Sequence, residues 1–368
     1  MRLAIRNILH DRLRFLLTVA GIAFAAFLMV FQGSLLAGFE RSASRVIDSI
    51  DADLWVMARG VQAFDFAPEL PSDYAGIVRG VPGIRSVEPV ATGIVLWHRP
   101  NGTRKTVVAI GCEDGLPGEF PVRPGKPLLP DDVIVDASDL RPLGIAQMPD
   151  EVEVGAKRTR VANAVSGFGS FLGSPYVFGR LGDTRRWLGL QPRAAMFLVL
   201  RLEPGYSAPA AQAALRERAP ELDVIDKREF SARAKAYWTM QTGAGGALLT
   251  AAVLGFAVGV LIVSQSVYAT TMENVEEFAT FKALGASALF VTRIVVTQAL
   301  LTSAAGCLVG TAAAVPAVNA ARGVIAWVYT PWQLLAAMAV ATPCLAIAAS
   351  IMAARAALSV EPGRVFRA

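Results

Sequence analysis

The sequence predicts an α-helical membrane protein with four transmembrane helices plus an α+β extracytoplasmic domain inserted between helices one and two. Three observations carry that expectation. The 368 residues are 54% hydrophobic and 18% charged, with a mean hydropathy of +0.46, whereas about a quarter of a soluble domain is charged. The deficit is concentrated in four windows without Asp, Glu, Lys or Arg: 15–39, 236–272, 294–321 and 323–354. Each exceeds the roughly 20 apolar helical residues that cross a bilayer core. Between the first and second windows lie some 200 residues with strand and turn patterning.

In chain order, residues 1–14 (MRLAIRNILHDRLR) place Leu3, Ile5, Ile8, Leu9 and Leu13 in a helical stripe with arginines elsewhere. This predicts an amphipathic helix on the cytoplasmic membrane face. Helix one follows over 15–39. Its apolar run is longer than the core of a signal peptide and precedes no convincing small-x-small cleavage site, so it is expected to be retained. The extracytoplasmic domain is placed at 40–240. RSASRVIDSI (41–50) extends helix one outward, and KREFSARAKAYWTMQTG (227–243) leads into helix two without a breaker before Gly243. Both connections are therefore expected to be helical stalks.

Within the domain, strands are predicted at 53–57, 93–98, 105–111, 131–136, 151–154, 159–165 and 195–202. A fifth charge-free window, 161–179, holds four glycines, three serines and a proline. It reads as loop and strand, since its backbone groups would be unsatisfied in lipid. Residues 74–90 and 208–226 share a helix–proline–strand plan, and each suits one half of a split βαβ unit.

Helix two is assigned to 243–271, where Gly255 and Gly259 form a GxxxG that permits close helix packing. A cytoplasmic loop (272–290), helix three (291–318), a short external loop (319–331), helix four (332–355) and a cytoplasmic tail (356–368) complete the chain. Pro316 and Pro343 fall in helices three and four, and Cys307 and Cys344 read as small buried apolar residues.

Charge excludes a nucleic-acid partner despite the pI of about 9.3. Residues 40–235 hold 25 basic and 25 acidic side chains, so the net charge of +5 lies in the segments flanking the helices. Arg2, Arg6, Arg12 and Arg14 at one end, and Arg355, Arg364 and Arg367 at the other, predict that both termini are cytoplasmic.

No catalytic constellation is present. Around Gly125-Lys126, Phe120 and Pro127 stand where a phosphate-binding loop needs glycine and a hydroxyl. HExxH, CxxC and GxSxG are missing, His10 and His98 are the only histidines, and no metal site is expected. The spans contain no carboxylate, which argues against an intramembrane hydrolase or an ion-coupled carrier. Ser264, Gln265 and Ser266, with Gln32 and Gln298, are read as interhelical hydrogen-bonding groups.

The loop MENVEEFATFKALGASALF (272–290) is the informative segment. Its glutamates suit a helix amino terminus. Val275, Phe278, Phe281 and Leu284 recur every third residue, and Gly285 ends the turn. This predicts a short amphipathic helix that presents two phenylalanines to the cytoplasm, an exposed apolar patch awaiting a partner. A membrane-surface helix is disfavoured by the glutamate cluster.

EEFATFKALGAS in this loop resembles the coupling segment of MacB/FtsX-type ABC transporter permeases, in which an acidic residue precedes a (K/R)A(L/I)GAS core. The layout is similar over the full length. The strings FDFAPELP (64–71), DDVIVDASDLRPLG (131–144), GSPYVF (173–178), YWTMQTGAG (237–245) and EPGRVFRA (361–368) resemble the DevC-like branch.

The resemblance implies a non-catalytic subunit of the bacterial inner membrane, without a cofactor of its own. Two ATP-binding cassette ATPase subunits on separate chains would bind ATP and Mg. Glu276, Glu277, Phe278, Phe281, Lys282, Leu284 and Gly285 are then expected to contact the ATPase. A second permease copy, most simply as a homodimer, a periplasmic adaptor (membrane fusion protein) and an outer-membrane duct are the further partners. Export of a hydrophobic or amphipathic substrate, lipid or glycolipid-like, is the function implied. An FtsX-like regulator of cell-wall hydrolases and a lipoprotein-release permease are the alternatives at this stage.

Overall fold

The computed structural model describes residues 12–70, 74–99, 101–113, 115–122 and 128–358. The amphipathic helix expected over 1–14, apart from its last three residues, lies outside the described residues, as does the terminal string 361–368. Two compact units emerge: residues 1–38, 247–322 and 328–368 form a helical unit, and 39–246 with 323–327 form an α+β unit.

The helical unit is built on four helices long and apolar enough to cross a membrane. They are α1 (Arg12–Ser49, whose last residues belong to the α+β unit), α7 (Gly243–Glu273), α9 (Ala288–Ala321) and α10 (Trp332–Leu358), with the short α8 (Val275–Ala283) between α7 and α9. Ile22, Ala25, Met29 and Val30 of α1 pack with Val263 and Val267 of α7, Ala299 and Ala314 of α9, and Met338, Ala346 and Ala349 of α10.

Small residues make these approaches possible. A Cβ on Gly255 would lie 3.0 Å from the Gln32 side chain, and one on Gly259 would lie 2.9 Å from Met29. The closest approach was not anticipated. Gly306 and Gly310 of α9 form a second GxxxG against α1, and a Cβ on Gly310 would sit 2.2 Å from the Ala23 carbonyl oxygen. Pro316 and Pro343 are both accommodated inside continuous helices. The sulfur of Cys307 is buried, whereas Cys344 is exposed on the helix surface, contrary to expectation.

The α+β unit begins with β1 (Leu54–Ala58), α2 (Tyr74–Arg79), β2 (Ile84–His98) and β3 (Arg104–Cys112). It continues through β4 (Asp132–Asp136), α3 (Leu140–Leu143), β5 (Asp150–Val154), β6 (Lys157–Val165), β7 (Tyr176–Arg180) and α4 (Leu181–Leu188). Then come β8 (Phe197–Leu202), α5 (Ala208–Arg218), β9 (Leu222–Asp226) and α6 (Lys227–Ala236).

The nine strands of the described residues join one sheet, in the order β3-β7-β4-β6-β5-β2-β8-β1-β9, and β3 also pairs with β2. That extra pairing closes β2, β3, β7, β4, β6 and β5 into a ring. β2, 15 residues long, belongs to both parts: its first half pairs with β8, its second with β3 and β5.

Outside the ring, β9-β1-β8-β2 is antiparallel throughout. With α2 and α5 it forms the split βαβ arrangement that the two helix–proline–strand stretches predict. Both faces of this sheet are covered, which is why β1 (LWVMA) and β8 (FLVLRL) are nearly unbroken apolar runs. Leu54, Val56, Leu198 and Leu200 meet Val78, Ala211 and Leu215 of the helices. Trp55, Met57, Phe197 and Val199 point the other way, against Phe64, Phe230, the end of α1 at Val46 and Ile47, and Ile50 just beyond it. The ring has its own core of Val95, Trp97, Val107, Val133, Val152, Val161, Val177 and Trp187.

The expected helical run from 227 into helix two is interrupted. After α6 the chain makes a π-helical turn, Tyr237–Gln241, and Thr242 is extended at φ −106°, ψ 148°. The Thr242 hydroxyl donates to the Trp238 carbonyl at 2.6 Å and accepts from the Gly245 amide at 3.2 Å. Thr242 thus acts as an N-cap that starts α7 afresh.

Candidate functional site

The segment between α7 and α9 is built from strong local signals. Glu276 and Glu277 stand in the first turn of α8, where the helix dipole favours carboxylates. Gly285 takes φ +90°, the left-handed position that glycine supplies after a helix end. Two residues later the Ser287 side chain accepts from the Phe290 amide and caps α9. GAS in this sequence therefore encodes a stop, one spacer residue and a start.

The orientation of α8 corrects one expectation. Phe278 does not face outward: it is 2% exposed and packs on Val291 and Val295 of α9 and Ala354 of α10. Its aromatic volume finds an apolar socket in the helical unit, so it anchors α8 instead of presenting it. Of the expected contact residues, Glu276, Glu277, Gly285 and Leu284 are exposed, the last 80% exposed. Leu289 and Phe290, at the start of α9, are also exposed and were not anticipated. The side chains of Phe281 and Lys282 lie outside the described residues. The surface that remains is acidic at one end of α8 and apolar at the other.

Among the described residues, the buried polar side chains inside the spans are hydroxyls and one amide, Gln298. Thr18 of α1 and Thr270 of α7 share a hydroxyl–hydroxyl contact of 3.2 Å. One turn away, the Ser266 hydroxyl lies against Gly21. Gln298 is buried on α9, and the Gln32 side chain covers Gly255. Among the described residues no group of His, Cys, Asp and Glu could hold a metal ion.

A second constellation lies in the α+β unit, where three of the quoted strings meet. Asp65 of FDFAPELP accepts a 2.7 Å hydrogen bond from the Tyr176 hydroxyl of GSPYVF. Trp238 of YWTMQTGAG packs against Phe66 and Phe171, with ring centroids 5.7 and 4.8 Å apart. Burial pushes the Asp65 carboxyl up to about 6, against the lowering effects of Tyr176 and of the nearby Trp238 indole. The Trp238 Nε1 completes no hydrogen bond of good geometry. Burial raises the Tyr176 phenol as well. The cluster ties β7 and the 64–66 turn to the π-helical turn before α7. It carries no nucleophile–base pairing, and its role is structural.

The comparisons with known proteins match the chain in two stretches. Residues 15–218 match the model of the MacB-like periplasmic core domain, and residues 249–362 match that of the FtsX-like permease C-terminal domain. An uncharacterized ABC transporter permease of Mycobacterium tuberculosis is 25% identical over 371 residues, covering 99% of this chain and 98% of that one. Another, of Mycobacterium bovis, is 24% identical over 312 residues and 83% of each chain. Among solved structures, the periplasmic region of MacB from Actinobacillus actinomycetemcomitans aligns with a TM-score of 0.38 at 12% identity, covering 50% of this chain and 94% of that one. The extracellular domain of the Gram-positive ABC-type transporter YknZ gives 0.34 at 12% identity, with 48% and 99% covered.

Proposed function

This chain belongs to the MacB/FtsX-type family of ABC transporter permeases, and from that premise we propose that it is the membrane subunit of an ATP-driven exporter of the mechanotransmission kind. In this reading it has no catalytic activity of its own, and a separate pair of ATPase subunits binds ATP and Mg. Closure of that pair pushes on α8. Movement then passes through the spans to the α+β unit and drives a hydrophobic or amphipathic molecule outward. The DevC-like strings support an assembly with a periplasmic adaptor, an outer-membrane duct and a second copy of this chain. The inner membrane is the proposed site, with both termini cytoplasmic and the α+β unit periplasmic.

One observation carries the reading most directly. α8 is fastened to the helical unit by Phe278, while Glu276, Glu277 and Leu284 stay exposed. A helix docked firmly on one side and open on the other is what force transfer requires, since a load on the open side reaches α9 and α10. The continuity of α1 from Arg12 to Ser49 supports transmission to the other unit.

The test is copurification in mild detergent of wild type beside a Glu276→Lys, Glu277→Lys, Leu284→Asp variant. An ATPase is expected with wild type and at least ten-fold less with the variant. Equal recovery from both would remove α8 as the contact. No ATPase with either would remove the proposed assembly.

A further inference from the structure

A cleft of about 480 Å³ opens between α2 on one side and α4 with the 189–195 segment on the other. Arg79, Arg185 and Arg193 line it, together with Tyr74 and an apolar floor of Leu70, Pro89, Ala195 and Leu198; no carboxylate is among the described lining residues. Arg79 and Arg193 make no hydrogen bond or ion pair among the described residues. Arg185 spends its Nε on the Ala194 carbonyl, at 2.7 Å, leaving its terminal nitrogens for the cleft.

The α+β unit as a whole is neutral, so three guanidinium groups around one hollow are a local concentration of charge. Arg185 is also half-buried, and desolvation holds its guanidinium below the ordinary arginine range. Glu113 and Glu69 act on it from a distance without forming an ion pair.

We propose that this cleft binds the phosphate group of an amphiphile, with its apolar part along the Leu70–Ala195–Leu198 floor. Guanidinium pairs recognise phosphate oxygens through parallel hydrogen bonds. A phosphate dianion balances most of the three positive charges. The volume decides against free phosphate as the whole ligand, because 480 Å³ falls in the range of small-molecule sites and exceeds one tetrahedral anion several-fold. As a statement about cargo this rests on the exporter reading; as a binding site it stands separately.

The test uses the full chain in nanodiscs of phosphatidylcholine, titrated calorimetrically with dihexanoyl phosphatidic acid, dihexanoyl phosphatidylcholine and inorganic phosphate. The comparison is Arg79→Ala with Arg193→Ala, two exposed positions whose loss leaves the fold intact; an unchanged melting temperature checks this. Wild type is expected to bind phosphatidic acid at least ten-fold more tightly than the double variant and than inorganic phosphate. Binding should weaken as salt rises, with no saturable binding of phosphatidylcholine. Equal affinity in the double variant, or equal affinity for the two lipids, overturns the site. Inorganic phosphate binding as tightly as phosphatidic acid overturns the amphiphile. ATPase recovery from the same preparations reports on the exporter reading independently, since neither arginine lies on α8.

Discussion

Asp65 and Phe278 show how burial decides what a single side chain does. The carboxyl of Asp65 is raised from 3.8 to about 6, with burial as the main cause. The folded chain therefore holds a proton between those values that the unfolded chain has released. Stability falls as pH rises through that window and stays lower above it, by an amount on the order of 3 kcal/mol. Asp139, raised to about 6 by burial and by Asp136, adds in the same direction. Asp65→Asn keeps an acceptor for Tyr176 and removes the charge. Its melting temperature, followed by tryptophan fluorescence, should exceed that of wild type at pH 7.5 and converge with it near pH 4. Parallel curves for the two proteins would contradict the burial argument. Phe278 was legible as an apolar position of α8, yet a three-residue spacing says only that residues share a face, not what that face meets. Phe278→Ala should cost about 3 kcal/mol of packing where α8 meets α9 and α10. It should also reduce ATPase copurification although Phe278 itself is covered; unchanged melting and unchanged recovery would rule out the anchor.

Elements were legible where the signal is local. The four spans, the stop at Gly285 and the αβ halves at 74–90 and 208–226 follow from composition, glycine and periodicity. The ring of six strands was not, because pairings such as Val108 with Tyr176 and Trp97 with Val154 join distant segments whose individual patterns carry no partner information. The break at Thr242 shows the opposite failure. Its signal, a hydroxyl residue three positions before the Gly245 amide it caps, was present but outweighed by the helical character of its neighbours. The GxxxG of α9 was equally visible as Gly306 and Gly310, since the same spacing had been recognised in α7. That motif gives a sharp contrast between elements. Gly310→Ala drives a methyl into the Ala23 backbone and should destabilise the bundle by about 1–3 kcal/mol. Gly246→Ala meets nothing within 4 Å and should be neutral or stabilising, by up to about 1 kcal/mol. Melting of both variants in nanodiscs checks the pair; similar changes in the two would mean that the α1–α9 approach does not set the effect.

At the scale of the whole molecule, charge and hydropathy say different things about the same chain. Hydropathy finds four candidate spans among the described residues, an even number, which agrees with the proposal that both ends lie on one side. Charge supports the side proposed above: the 25 basic and 25 acidic residues of 40–235 cancel, so the net +5 flanks the spans, as expected if the ends are on the retained face. In the proposed topology the loop carrying α8 shares that face and the α+β unit is periplasmic. The ATPase proposal depends on this, because ATP is available only inside. Two exposed positions report it directly: Asn101 in the turn after β2, and Thr280 on α8. In a background where Cys112, Cys307 and Cys344 are replaced, Asn101→Cys should react in intact cells with a membrane-impermeant maleimide. Thr280→Cys should react only after permeabilisation. The reverse pattern would put α8 outside the cell, where no ATPase could load it, and the exporter reading would fall while the fold remained.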